Sequence, residues 1–277
     1  MTKTIRQMQE NMKLIDLAIE IIDARIPISS RNPDLDRLCA GKARMILFGK
    51  GDLADDSENR RWMEYYEARG LHPYACDLRS RGALKGLGAA IQTACREKIE
   101  RDRRRGIANR PVRAMVCGIP NVGKSTFINS FSGSSSLKTG NKPGVTKGRQ
   151  WIKMNSQVEL LDTPGLLWPK FSNQEIGRKI ALIGSIPDAN TDQAELAAAL
   201  IDYLRKRNGD VFEKRYDIDL TSSFESILDA VGKKRGALKK GGETDIGKAA
   251  GLLLDDFRQG RLGRLTLETV DDIAEEG

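Results

Sequence analysis

Eight consecutive residues carry the clearest chemistry in the chain: Gly118-Ile119-Pro120-Asn121-Val122-Gly123-Lys124-Ser125. They complete the pattern G-x-x-x-x-G-K-[ST], a phosphate-binding loop. The glycines let the backbone curl so that its N–H groups surround phosphate oxygens, and a helix N-terminus adds partial positive charge. The cradle is then Asn121, Val122, Gly123, Lys124, Ser125 and Thr126. Lys124 is expected to reach the β- and γ-phosphates, and Ser125 to ligate Mg²⁺.

Two later stretches fit a nucleotide switch. Pro143-Gly144-Val145-Thr146-Lys147-Gly148 offers Thr146, which can close on Mg²⁺ only when a γ-phosphate is present. Asp162-Thr163-Pro164-Gly165 offers Asp162, to hold Mg²⁺ through water, and the Gly165 N–H, to meet the γ-phosphate. Leu166 follows, where Ras-like enzymes carry a water-orienting Gln. Leucine cannot position a nucleophile, so hydrolysis needs a group from elsewhere or is slow.

A third group reads a base. The apolar run 43–48 runs into Gly49-Lys50-Gly51-Asp52, close to the [N/T]-K-x-D element that selects guanine. The Asp52 carboxylate would accept from the guanine N1–H and exocyclic amine, with Lys50 beside it, and adenine offers neither donor in that geometry. Gly49 stands where Asn or Thr is usual, which removes a side chain expected to brace the loop. Asp77 and Leu78 fall where a second base-contacting segment is expected, without the usual Ser-Ala pair.

The elements that must position these residues can be read from pattern. Residues 2–16 carry apolar positions at helical spacing. Leu17 to Asp23 reads as a buried strand, as do 43–48, 74–79 and 112–117. The strand at 112–117 and the helix expected from Thr126 give the phosphate loop its required strand–loop–helix setting. Residues 150–154 and 158–161 read as a hairpin. Ser57 to Arg69 reads as an amphipathic helix whose Trp62, Tyr65 and Tyr66 are expected in the core rather than as a stacking face for nucleic acid. Beyond Pro187 come three amphipathic helices: 192–207, one capped near Ser222, and 245–258. Their basic loops, 233–240 and 258–264, are candidate phosphate contacts. The last residues, 270–277, are acidic and expected to be disordered. The resulting domains are 1–187, 188–269 and an acidic tail, 270–277.

At 277 residues the chain suits one large or two modest domains, and its net charge of +8 favours a polyanionic partner. Its four cysteines are scattered without a C-x-x-C pair, and His72 is its single histidine, which argues against a zinc site or a disulfide framework. No apolar run reaches membrane-spanning length. A reduced, cytoplasmic setting is expected.

The motifs stand in an unusual order, with the base-reading strand first and D-x-x-G last. One sheet can still be built if the termini of a GTPase domain are joined and the chain is reopened after D-x-x-G, because domain termini lie at the surface, often close together. This order resembles the circularly permuted GTPases and, within them, the ribosome biogenesis GTPase A (YlqF/RbgA) group. The resemblance rests on Asp23-Ala24-Arg25-Ile26-Pro27, Ser29-Ser30-Arg31-Asn32-Pro33, the stretches 118–126, 142–148 and 160–171, and GRLGRLTLE at 260–268.

The resemblance implies an α/β P-loop GTPase fold, circularly permuted on a mostly parallel sheet, with a small C-terminal all-α domain. It implies GTP and GDP as ligands, with Mg²⁺, and K⁺ held near the phosphates by Asn121. It implies a factor that binds the large ribosomal subunit and its rRNA and promotes late maturation. No membrane or DNA partner is expected, and the chain is expected to be a monomer off the ribosome. The family's hydrolytic histidine closes a Pro-Gly-His-Met segment expected upstream of Met1, so the catalytic group is not assigned within the chain. Two other readings stay open: a nucleotide-gated ribosome- or RNA-binding module with negligible hydrolysis, and a P-loop kinase, against which Thr146, D-T-P-G and Asp52 argue.

Overall fold

A computed structural model describes residues 10–80, 82, 86–107, 110–132, 150–162, 173–207 and 210–275. Its centre is β1 (Leu17–Asp23), whose seven residues are all buried. A parallel strand in mid-sheet is covered on both faces, which is why LAIEIID is almost unbroken in its apolar character. Side chains alternate across the sheet. Leu17, Ile19 and Ile21 join Met45, Leu47, Ala114 and Val116 on one face. Ala18 joins Met115 and Cys117 on the other, where Ile22 packs with Ile46 and Phe48.

The other strands are β2 (Ala43–Gly49), β3 (His72–Ala75), β4 (Val112–Cys117), β5 (Gln150–Lys153) and β6 (Val158–Asp162). The sheet order is β3-β2-β1-β4-β6-β5. All neighbours are parallel except the β5–β6 hairpin. The chain moves outward from β1 through β2 and β3, then returns to the other side of β1 with β4. The order therefore reverses between β1 and β4. The crevice at the carboxyl ends of the strands at such a reversal is where open α/β sheets bind ligands.

Helices cover both faces. On one lie α1 (Asp34–Leu38) and α2 (Asp56–Glu67). Trp62 and Tyr66 of α2 are fully buried with their rings stacked, so these aromatics are core, as expected. Asp55 caps α2 by accepting from the Ser57 and Glu58 N–H groups. On the other face lie α3 (Leu87–Ala94) and α5 (Lys124–Ser132); α4 (Arg96–Arg104) leads from α3 towards β4.

The C-terminal region is helical. After α6 (Gln174–Leu182) come α7 (Gln193–Arg205), α8 (Val211–Tyr216), α9 (Phe224–Arg235) and α10 (Ile246–Arg258). Asp192 caps α7 as the pattern predicts, and Asp245 caps α10. For α9 the cap is Ser223, one residue beyond the expected Ser222, because its hydroxyl reaches the Ser226 N–H. The short α8 has too few turns to show a period. One apolar cluster runs from the sheet through Ile180 to Leu200, Leu253 and Phe257, so the helical region packs on the sheet domain rather than hanging from it.

The tail differs from its expected disorder. Asp271–Glu275 form α11. Asp271 pairs with Arg61 and Asp272 with Arg207, and the Asp272 carboxylate also accepts from the Thr269 N–H. Low apolar content predicted an unstructured segment, but the acidic side chains meet fixed arginines from elsewhere in the chain.

Candidate nucleotide site

The phosphate loop joins β4 to α5 at the carboxyl edge of the sheet. Gly118 has φ +148°, and a Cβ there would lie 2.4 Å from the Ile21 carbonyl oxygen. Glycine is required because the loop leaves β4 against the backbone of β1. Asn121 takes a left-handed φ of 62°. Ser125 and Thr126 open α5, and the Ser125 residue is exposed. The Lys124 ammonium donates to the Gly118 and Ile119 carbonyls at 3.0 and 2.6 Å. Burial lowers its pKa to about 8, with the Cys117 thiol opposing the shift. A cation held half-buried on its own loop is one that an incoming phosphate would stabilise.

The residues expected to read a base arrive at the same edge. Gly49 ends β2 opposite Asp23, and a Cβ at 49 would lie 2.7 Å from the Val122 carbonyl oxygen. The glycine therefore does more than omit a brace: it lets the base loop lie directly on the phosphate loop. Leu78 is buried between the two, its Cδ1 3.2 Å from the Cβ position of Gly49 and 3.1 Å from that of Gly123. Asp52 sits in a 3-10 turn, Gly51–Leu53. Its carboxylate accepts from Arg79 Nη2 at 2.7 Å. Asp77 anchors Arg79, accepting from the Arg79 N–H at 2.9 Å and from Nε at 3.0 Å.

Lys50, expected beside the base, has φ 55° and places its ammonium 3.3 Å from the Asp23 carboxylate. Burial opposes ionisation of Asp23, but Arg25 and Lys50 outweigh it, so the carboxyl lies below the ordinary range. Burial also lowers the Lys50 pKa, against the pull of Asp23.

Of the residues expected to hold Mg²⁺, two lie among the described ones. Ser125 lies at the start of α5 and Asp162 at the end of β6, paired with Gln150 across the hairpin. A hydroxyl and a carboxylate are the hard oxygen donors Mg²⁺ takes. Thr146 and Gly165 lie outside the described residues, as does Leu166. Asn121 donates its Nδ2 to the Gly184 carbonyl at 2.6 Å, and the amide oxygen is the atom that would serve a monovalent cation. Ser185 donates to the Pro120 carbonyl at 2.6 Å. The turn after α6 is thus fastened to the phosphate loop.

The C-terminal segment 260–268 braces the base end, and pattern reading gave it no such role. The Leu265 N–H donates to the Leu53 carbonyl at 2.9 Å, and Arg264 Nε to the Asp52 carbonyl at 3.2 Å. Asp55 N–H donates to the Thr266 hydroxyl, and Trp62 Nε1 to the Glu268 carbonyl. The buried Glu268 carboxylate accepts from the Ile28 and Ser29 N–H groups at 2.8 and 3.1 Å and from the Ser29 hydroxyl. Lys179 of α6 pairs with it at 3.2 Å.

Arg25, fully buried, grips Asp23 through Nε and Nη2 at 2.9 and 2.8 Å. It also points Nη1 at the carbonyls of Phe257 and Arg258. The stretch Asp23 to Pro33 is therefore the seat on which the helical region rests. The period-free spacing of these contacts hides them from the sequence; the co-occurrence of a buried-type Asp-x-Arg word and a distant Glu was the available signal.

Several of the expected nucleic-acid contacts are used internally. Arg235 and Arg261 pair with buried Asp256, Arg258 with Asp188, and Arg264 with Asp56. Of the basic loop, Lys234, Lys239 and Lys240 are exposed and, among the described residues, form no ion pair.

Comparison with known proteins agrees with this geometry. A family model described as "50S ribosome-binding GTPase" matches residues 113–231. Ribosome biogenesis GTPase A of Bacillus cereus is 38% identical over 277 residues, covering 100% of this chain and 94% of the relative. That of Thermotoga maritima is 30% identical, covering 98% and 92%. A GDP-bound structure of the T. maritima protein YlqF superposes with a TM-score of 0.68 at 26% identity, covering 96% of this chain and 100% of that one. The GNP-bound form gives 0.66 at 27% identity, covering 96% and 98%. With a phosphate loop and a base loop meeting at the reversal of a permuted sheet, and with relatives matched along nearly their whole length, the chain belongs to the ribosome biogenesis GTPase A family.

Proposed function

We propose that the chain is a GTP-binding, GTP-hydrolysing assembly factor that docks on the large ribosomal subunit, through its rRNA, and promotes late maturation. The observation that supports this reading is the meeting of Gly49, Leu78 and Gly123 at one edge of the sheet; a base-selecting carboxylate and a phosphate cradle would share the crevice there. Asn121 to Thr126 and Gly165 hold the phosphates. Asp52, with Lys50, Asp77 and Leu78 around it, reads the guanine. Ser125, Thr146 and, through water, Asp162 hold Mg²⁺, and the Asn121 amide oxygen takes K⁺. These cations neutralise charge on the transferring phosphoryl group.

The GTPase domain spans 1–187 and the helical domain 188–269. The latter presents Lys234, Lys239 and Lys240 to RNA phosphates. Residues 270–275 belong with the domain junction. The protein acts in the cytoplasm, as a monomer off the ribosome. Among the described residues no helix is long and apolar enough to cross a membrane.

Leu166 favours one further reading, a nucleotide-gated binding module with negligible turnover, since it offers no group to orient water. GTP turnover in potassium buffer, with and without large ribosomal subunits, separates the two. Stimulation of tenfold or more, roughly 1.4 kcal/mol of barrier, is the expected result. An unchanged rate, with subunit binding still favoured by a non-hydrolysable GTP analogue, would leave a switch without hydrolysis. Binding that ADP competes as well as GDP would overturn the guanine assignment.

A further inference from the structure

We infer that Arg79 is a specificity-determining residue of the base site: its guanidinium, clamped on Asp77, holds the Asp52 carboxylate in the orientation that reads guanine. The inference rests on Asp52 being the base reader. Guanine is told from related purines by two donors, N1–H and the exocyclic amine, that must meet two carboxylate oxygens together. That demands a carboxylate fixed in rotation as well as position. Position is supplied by the backbone, since Arg264 Nε and the Leu265 N–H hold the carbonyls of Asp52 and Leu53. Rotation is not supplied by residue 49. Gly49 has no side chain, and this backbone admits none, because a Cβ would meet the Val122 carbonyl at 2.7 Å.

Arg79 fills that role from the neighbouring loop. Its Nη2 donates to Asp52 Oδ2 at 2.7 Å and also reaches Asp77 Oδ2 at 3.4 Å, while Nε holds Asp77 Oδ1 at 3.0 Å. The Ser80 N–H closes the same turn on the Asp77 carbonyl at 3.0 Å. A planar guanidinium in a fixed fork transmits the orientation of one carboxylate to the other, which an ammonium cannot do. Each carboxylate oxygen has two acceptor positions, so Asp52 can keep Arg79 while it receives the base. The Arg79 side chain is 66% exposed, and a pair so exposed adds little to folding stability. Its removal is therefore readable in recognition without loss of the fold.

The test measures dissociation constants of GDP and inosine diphosphate, which lacks the exocyclic amine, on the full chain and on Arg79→Ala, Arg79→Lys and Asp52→Asn. Thermal melting confirms that each variant is folded. A site built to bond a donor strongly rejects the analogue without it, so wild type is expected to prefer GDP. In Arg79→Ala that preference is expected to fall about tenfold, and Arg79→Lys is expected to stay within about threefold of Arg79→Ala, since one ammonium cannot bridge two carboxylates. An Arg79→Ala ratio equal to wild type would overturn the inference, as would full rescue by Lys. A tighter GDP constant in Arg79→Ala would also overturn it, by making Arg79 a competitor of the base. If Asp52→Asn keeps the wild-type ratio, the underlying base-reader assignment fails. If Asp52→Asn loses the ratio while Arg79→Ala keeps it, this inference alone fails.

Discussion

At the phosphate end of the site, Gly118, Asn121 and Gly123 take left-handed conformations within one loop, and Lys124 folds onto the carbonyls of that same loop. At the base end, the Asp52 carboxylate is held by a residue 27 positions away and its carbonyl by one 212 positions away. The first is set mostly within one loop, with distant fastenings at the Ile21 carbonyl behind Gly118 and at Gly184 and Ser185. In the second, the contacts to the Asp52 and Leu53 carbonyls exist only after the C-terminal segment has docked. The same segment seats the helical region through Glu268, so a movement of that region would also pull on Asp52 and Leu53. A mostly local cradle and a largely non-local clamp thus meet at one edge of the sheet.

The largest effect expected on this contrast comes from Lys124→Ala. It removes the cation proposed to meet the β- and γ-phosphates while leaving the contacts at the base end intact. Nucleotide affinity should fall by a hundredfold or more, about 2.7 kcal/mol. Without nucleotide the variant should melt no lower than wild type, because a half-buried, desolvated charge has been removed. Calorimetric titration with GDP checks the first point and a thermal scan the second. Affinity unchanged from wild type would remove the phosphate-loop assignment.

Glu268→Ala attacks the other side of the contrast. It strands two buried N–H groups and the Lys179 ammonium. Removing one partner of a buried charged cluster costs about 3–5 kcal/mol when the cluster is dry, and Lys179 is partly exposed, so about 2–4 kcal/mol is expected here. The unfolding free energy from urea titration should fall by that amount, and GDP affinity should weaken only severalfold, since the phosphate cradle is untouched. An unfolding free energy within about 0.5 kcal/mol of wild type would show that Glu268 does not hold the junction.

The same division decided what could be read from the sequence. The loop 118–125, the strand Leu17–Asp23 and the hairpin at 150–162 follow from glycine placement and periodicity, and each was placed within a residue or so. The α8 helix and the tail helix were missed because five or six residues show no period. Trp62 and Tyr66 were placed in the core by helical spacing, but Trp62 as a donor to Glu268 was not foreseeable from spacing at all. Asp23 to Pro33 was legible only as a family word. Its use as the seat for Glu268, Phe257 and Leu267 became visible once the chain was folded. Gly49 is legible as a missing brace, whereas its reason, the Val122 carbonyl at its back, is a contact between the end of β2 and the phosphate loop, distant in sequence.

The smallest expected effect is in pH, and it sharpens the contrast most. In the free protein, burial lowers the Lys124 pKa to about 8, from an unfolded value near ~10.4. Between these values the unfolded chain binds more protons, so this group contributes increasing stability as pH rises from about 8 towards ~10. Nucleotide binding runs the other way. Phosphate stabilises the ammonium, so binding takes up a fraction of a proton near pH 8, and affinity should fall by up to about tenfold per pH unit above it. Asp23, held below the usual carboxylate range by Arg25 and Lys50, contributes stability that is present above the unfolded carboxylate pKa and lost only in acid as pH falls through the folded value, so the Asp23–Arg25 contact does not move in the alkaline window. Lys50, also lowered by burial, is a confounder at the base end. Pyrophosphate separates them, because it engages the cradle and leaves the base loop empty. GDP and pyrophosphate should weaken in parallel from about pH 7.5 to about 8.5, below the range in which guanine N1–H and the last proton of pyrophosphate ionise, with proton uptake measured in two buffers of different ionisation enthalpy. Weakening of GDP alone would place the titrating group at the base end, and a flat profile for both would mean that Lys124 does not lose its proton in this range.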